Sequence, residues 1–335
     1  MSTASTLEPP APPSARGVRA LLSPTIISNF GPLFALLLAC AYFTSRTDRF
    51  LSGANLSLVV QQSMVVGVLA IGQTLIILTA GIDLSCGAVM ALGGIVMTRA
   101  AVHDGVNPFV GILLGLGVCA GFGLANGVLI TKIRLPPFIV TLGTLNIAFA
   151  ITHIYSHEQT VTDVPQKQLY FGNTFRLNHT TITYGMILMF ALFLLVWFVL
   201  SQTAIGRHIY AVGNNPEATR LTGINTHKLL IIVYTFAGLF YGVAALLLVA
   251  RTGVGDPNAG QTDNLNSITA VVLGGTSLFG GRGTILGTLV GVLIIGVFRN
   301  GLQLTGVSAI YQVLITGVLV IFAVAVDQFS RGRQR

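Results

Sequence analysis

Few residues in this chain are equipped for chemistry, and they stand far apart. In Gly81-Ile82-Asp83-Leu84-Ser85-Cys86-Gly87, a carboxylate and glycines separate two apolar runs with almost no loop between them. A charged side chain at the centre of a bilayer costs at least about 2.5–3.5 kcal/mol, and less near an interface, so an acidic residue here is not idle. Two roles fit it. Asp83 can cap the helix that follows, accepting backbone N–H groups of Ser85 or Cys86 at the positive end of the helix dipole. It can equally line or gate a solute path, and the two roles are compatible.

A second stretch, residues 206–224, reads GRHIYAVGNNPEATRLTGI. Asn215 is a good N-cap, Pro216 suits the first helical position, Glu217 suits the first turn and Gly223 suits the C′ stop. The spacing predicts a helix of about two turns. So short a helix outside the membrane has few apolar contacts of its own and needs a partner surface. An ordinary linker helix lying on the membrane is the plainer alternative.

Polar residues within apolar runs are mostly amides and hydroxyls: Gln61, Gln62, Gln73, Thr74, Thr141, Thr144, Asn146, Gln303, Tyr311 and Gln312. Together they suit a neutral polar solute such as a sugar, although each alone reads as an interhelical hydrogen bond. Gln73, Thr74, Asp83, Ser85, Asn146 and Gln303 are the candidates for a translocation pathway or gate. The absences are equally informative. The lysines are Lys132, Lys167 and Lys228, and none follows a glycine, so the phosphate-binding G-x-x-x-x-G-K loop is missing and this chain does not hydrolyse ATP by itself. His157-Glu158 lacks the second histidine of H-E-x-x-H, and no Ser/His/Asp set stands out. Cys40, Cys86 and Cys119 lie at unrelated spacings inside apolar runs, which indicates neither a disulfide framework nor a metal site. Asp83, the clear intramembrane carboxylate, keeps a proton-coupled secondary carrier for a small polar solute open as the alternative.

These residues are carried by a membrane bundle. The chain has 335 residues, 53% of them hydrophobic and 8% charged, whereas a soluble surface carries about 25–35% charged positions. Eighteen Lys and Arg against ten Asp and Glu give a net charge of +8. The basic residues sit between apolar runs, which reads as a positive-inside bias rather than a nucleic-acid footprint. Residues 1–19, with four prolines and no apolar face, read as a disordered tail, and 331–335 as a short basic one. The membrane domain between them, 20–330, yields ten apolar segments near 25–44, 56–79, 84–102, 108–130, 138–155, 181–200, 228–250, 265–280, 284–300 and 307–327. The expected fold is an all-α polytopic membrane protein of about ten transmembrane helices, both termini cytoplasmic, with loop 201–228 inside and loop 156–180 outside. The eighth and ninth segments are short and rich in glycine, so one or both are expected to be broken helices.

Glycines four apart permit close helix approach and read as packing positions: Gly111 with Gly115, Gly123 with Gly127, and Gly283, Gly287 and Gly291. Setting residues 115–130 against 289–304 aligns Gly117 with Gly291, Val118 with Val292, Asn126 with Asn300 and Gly127 with Gly301. The offset is five spans, an odd number, as an inverted repeat of two five-helix halves requires. A transport pathway at the interface of the halves follows naturally.

Three motifs in order then carry a resemblance: Gly72-Gln73-Thr74 through Gly87, Gly213-Asn214-Asn215 to Gly223-Ile224, and residues 272–284, VLGGTSLFGGRGT. Over nearly the whole chain beyond the tail, the sequence resembles the ribose-type sugar permeases of bacterial ATP-binding-cassette importers. Arg251-Thr252-Gly253-Val254-Gly255-Asp256-Pro257, with Asp327-Gln328-Phe329, looks most like the fructose-import branch. Cys86 stands where valine is more usual in the family. The resemblance implies a multi-pass protein of the bacterial inner membrane that works as a homodimer. Each copy is pressed against an ATP-binding-cassette subunit that holds ATP and Mg, while a periplasmic or lipid-anchored sugar-binding protein delivers a monosaccharide. This chain itself needs no cofactor or metal and no nucleic acid. In the family, the loop between the sixth and seventh spans contacts the ATPase, which maps onto Asn214, Asn215, Glu217, Ala218, Arg220 and Gly223 here, around Pro216.

Overall fold

The computed structural model describes residues 24–321 except 178, 179, 309, 316, 319 and 320. Both tails therefore lie outside the described residues, as does the end of the tenth apolar segment, whose helical part begins at Ile310. The elements in chain order are α1 Pro24–Arg46, α2 Gly53–Leu78, α3 Cys86–Val102, α4 Pro108–Lys132, α5 Pro137–Ser156, strands β1 Thr174–Leu177 and β2 Thr180–Thr183, then α6 Tyr184–Gln202, α7 Ala204–Asn214, α8 Pro216–Leu221, α9 Thr226–Thr252, α10 Asp263–Leu273 and α11 Ile285–Leu304. Among the described residues six helices are long and apolar enough to cross a membrane: α2, α4, α5, α6, α9 and α11.

Local chemistry sets the helix starts. Ser52, Asn107, Thr183, Thr203, Asn215, Asn225 and Thr284 each accept a hydrogen bond from a backbone N–H in the first turn, satisfying one of the donors that no helix can pair internally. Pro108, Pro137 and Pro216 open α4, α5 and α8, where a missing N–H costs nothing.

The bounds of the 156–180 loop and of the sixth span need correction. Loop 156–180 holds structure of its own: β1 pairs antiparallel with β2, Thr174 opposite Thr183 and Leu177 opposite Thr180. β2 takes the start of the expected sixth span because Thr180-Thr181-Ile182-Thr183 is β-branched throughout, and the helix begins only at Tyr184. The eighth segment is a broken helix, as its glycines lead one to expect, and not a continuous one over 265–280. Helix α10 stops at Leu273, and the chain turns through Gly275, Gly280, Gly281 and Gly283, all at positive φ. Its 11 residues span about 17 Å, roughly half of a hydrocarbon core. Helix α11, by contrast, runs unbroken for 20 residues. Gly283 accordingly lies in the turn before α11 with φ +143°, so it is not the first step of a helical glycine ridge.

The other glycines singled out for packing lie at close approaches between elements. Gly111 and Gly115 face α3, Gly123 and Gly127 face α9, and Gly287 and Gly291 face the α10 end. A Cβ at Gly123 would sit 2.2 Å from the Tyr234 carbonyl oxygen, and one at Gly291 1.9 Å from that of Ala270. No side chain fits in either place. Of the six span-length helices, α2 and α9 are the most enclosed, and they pack on each other. Helix α4 lies along α9, α11 lies along α2, and α10 is wedged between α2 and α11. Their common core holds Met64, Leu69, Ile76, Tyr234 and Tyr241. Helices α4, α5 and α6 present exposed Leu113, Ile139, Ile154 and Leu194 outward, an apolar belt suited to lipid or to another membrane chain.

Candidate translocation and coupling site

The break between α2 and α3 gathers most of the polar residues singled out above. Helix α2 ends at Leu78, and the chain turns at Ala80, φ +61°. Asp83 Oδ1 accepts the backbone N–H and the hydroxyl of Ser85 at 2.7 and 2.6 Å, and Oδ2 accepts the Tyr241 hydroxyl at 3.2 Å. Gln73 Nε2 donates to the Asp83 carbonyl oxygen. Asn126 Nδ2 donates to Ser85 Oγ at 3.3 Å, Thr141 Oγ1 to the Ile82 carbonyl at 3.2 Å and Asn264 Nδ2 to the Leu84 carbonyl at 3.2 Å. Helices α2, α4, α5, α9 and α10 thus all clasp one seven-residue break. Asp83 is 1% exposed. Its carboxylate is spent on capping and on Tyr241, as a buried acidic group must be to offset its desolvation.

The six pathway candidates therefore separate. Gln73, Thr74, Asp83 and Ser85 are buried together, with Thr74 Oγ1 2.8 Å from Thr288 Oγ1 of α11. Asn146 is exposed on α5, bonded back to the Leu142 carbonyl at 3.0 Å, and Gln303 is exposed near the end of α11. The structure brings neither of these two to the clasp.

At the end of the bundle where α2 stops, α7 and α8 project. Helix α8 forms as its capping sequence predicts: Asn215 Oδ1 accepts the Ala218 N–H at 2.9 Å, and Gly223 stands at φ +87° beyond the last turn. Asn214, Pro216, Glu217, Ala218 and Arg220 are exposed, and Leu221 is 81% exposed. Glu217 and Arg220 pair at 3.1 Å, an exposed bridge that contributes at most about 1 kcal/mol. Helix α8 is anchored through α7. Gly213 lies so close to α2 that a Cβ would be 1.8 Å from the Leu78 carbonyl oxygen. That same oxygen accepts the Gly281 N–H at 3.0 Å, while the Tyr210 hydroxyl donates to the Gly283 carbonyl at 2.9 Å. Helix α7 thus joins α8 to the end of α2 and to the glycine turn before α11.

At the opposite end lies a cavity of about 400 Å³. Its wall is built from Gln62 of α2, Met90 and Gly94 of α3, Arg251 and Thr252 at the end of α9, Val254, Asp256, residues 258–263, and Arg299 of α11. Arg251 Nη1 donates to the Gln62 carbonyl at 3.3 Å, and Val161 with Gly255 ties the 156–180 loop to the cavity rim. Sequence reasoning marked Gln62 only as a polar residue in a span and Arg251–Pro257 only as a branch signature. Asp263 and Arg299 went unmarked as site residues. The available signal was the density of polar side chains over 251–264 in a chain that has so few.

A membrane bundle with an interrupted helix at its heart, a polar cavity at one end and a projecting capped helix at the other defines a permease-type membrane protein. The chain belongs to the family described as branched-chain amino acid transport system / permease component, whose profile matches residues 55–324. It is 44% identical over 306 residues to the fructose import permease protein of Rhizobium meliloti, covering 90% of this chain and 85% of that one. It is 40% identical over 299 residues to the ribose import permease protein of Escherichia coli K12, covering 88% and 92%. The ribose import permease protein of Bacillus subtilis is 37% identical over 305 residues, covering 90% and 94%.

Proposed function

We propose that this chain is the transmembrane subunit of a bacterial ATP-binding-cassette importer and moves a monosaccharide of the fructose or ribose kind across the inner membrane. The observation that carries the reading is the 44% identity to a fructose import permease across 90% of the chain. Ten spans with both termini cytoplasmic place α8 inside and the 400 Å³ cavity outside. An inverted repeat is supported by the exchange of packing partners. Span four (α4) lies along span seven (α9) as span nine (α11) lies along span two (α2), and α3 meets α9 as α10 meets α2. The clasp, from Gln73 to Ser85 with Asn126 and Tyr241, is the hinge between the two ends.

ATP binding and hydrolysis in a separate cassette subunit change the spacing of the two α8 helices. Helix α7 carries that displacement through Gly213 and Tyr210 to the end of α2 and the glycine turn, and the bundle alternates between outward and inward access. The permease performs no bond chemistry and supplies two conformations that differ in access and affinity. A sugar-binding protein outside delivers the solute. A proton-coupled carrier is less well supported, because Asp83 is enclosed and fully engaged. Affinity purification of tagged permease in mild detergent tests the reading. A cassette ATPase is expected in about equal amount and is lost when 214–223 becomes a Gly/Ser linker; its absence from folded permease refutes the coupling surface.

A further inference from the structure

The cavity at the α9 end has the makings of a ligand site that the family resemblance leaves unassigned. Its volume of about 400 Å³ falls in the range of about 300–1,000 Å³ that encloses small molecules. Its charges cancel. Arg251 and Arg299 are matched in number by Asp256 and Asp263, so the wall carries no net formal charge. What remains is a dense supply of donors and acceptors from guanidinium, carboxylate and amide groups. One acceptor is conspicuous: Gln62 Oε1 is buried and has no hydrogen-bond partner, an arrangement that costs free energy unless a ligand or water supplies an O–H. Gln62 is also held in place, because its own carbonyl oxygen accepts from Arg251. Met90 and Val65 give the wall an apolar face, as the C–H side of a sugar ring requires.

We infer that this cavity is a holding site for one neutral, polyhydroxylated molecule of monosaccharide size, occupied after release from the binding protein and before passage inward. Gln62 Oε1 accepts from a ligand hydroxyl, Arg251 donates to a neighbouring oxygen, and Asp263 accepts from a second hydroxyl. The inference rests on the importer reading and deepens it, for it makes the permease itself a discriminating step.

The test uses the full chain in lipid nanodiscs, without ATPase, titrated with radiolabelled fructose, ribose, allose and galactose up to high millimolar concentration. Saturable binding of at least one sugar is expected, weakened about tenfold or more by Gln62→Met and by Arg251→Gln, with glucose 6-phosphate a poorer competitor than the neutral sugars. Thermal melting of each variant separates lost binding from lost folding, and Asp263→Asn serves if Arg251→Gln does not insert. The same preparations are assembled with ATPase and binding protein for uptake. There the cavity variants are expected to lower maximal velocity while leaving half-saturation, set by the binding protein, nearly unchanged. ATP-driven uptake without any saturable binding to the permease overturns the holding site and leaves the importer intact. Binding that is unchanged in all three variants, or stronger for the sugar phosphate, also overturns it. Absence of both binding and uptake for every sugar overturns the importer reading and the site with it.

Discussion

Asp83 is surrounded by donors: the Ser85 N–H and hydroxyl and the Tyr241 hydroxyl all point at its carboxylate. Removing those acceptors strands buried donors at about 1–3 kcal/mol each. Asp83→Ala is therefore expected to lower the melting temperature in detergent markedly. Asp83→Asn keeps one acceptor oxygen for Ser85 and costs less. Equal melting of wild type and Asp83→Ala contradicts the clasp. The capping half of this site was legible from the sequence, because an acidic residue just before a span suits the positive end of the helix dipole. Its partners were not. Tyr241, Asn126 and Asn264 reach residues 83–85 from positions 41 to 180 residues away, a proximity that no periodicity encodes. The cavity was hidden for the same reason, its wall being assembled from four helices and a loop.

Helix α8 was the most readable element, since Asn215, Pro216 and Gly223 write its start and stop directly. Breaking it tests its role: Thr219→Pro removes the bond from the Thr219 N–H to the Asn215 carbonyl, 3.0 Å, at a cost of about 3 kcal/mol or more. The expected result is uptake reduced at least tenfold with normal membrane levels of permease, read by immunoblot beside transport; undiminished uptake removes α8 from the coupling route. Hairpin β1–β2 and the early stop of α10 were harder to see. Hydropathy runs smoothly through Thr180–Thr183 into α6 and from α10 into the glycine turn, and apolar content does not report whether the backbone is helical. The glycines at 274–283 marked a break in the eighth or ninth segment but not which of them, because glycine is equally common as a packing residue inside membrane helices.

At the scale of the whole molecule, the account requires ten crossings with α8 inside. A variant with Cys40 replaced by Ser suits labelling, because Cys86 and Cys119 are buried. A membrane-impermeant maleimide is expected to label Asp163→Cys in intact cells and Arg220→Cys only after the membrane is opened; the reverse pattern inverts the topology. The central claim is that this chain converts a cassette's ATP cycle into sugar movement. The most direct measurement reconstitutes permease, cassette ATPase and sugar-binding protein in proteoliposomes and follows labelled fructose and ribose with ATP supplied on the cassette side. Accumulation of one of these sugars is predicted to need hydrolysable ATP and an intact 214–223 segment. Accumulation driven by a proton gradient without ATP, or ATP-driven uptake that survives replacement of that segment by a Gly/Ser linker, would contradict the account.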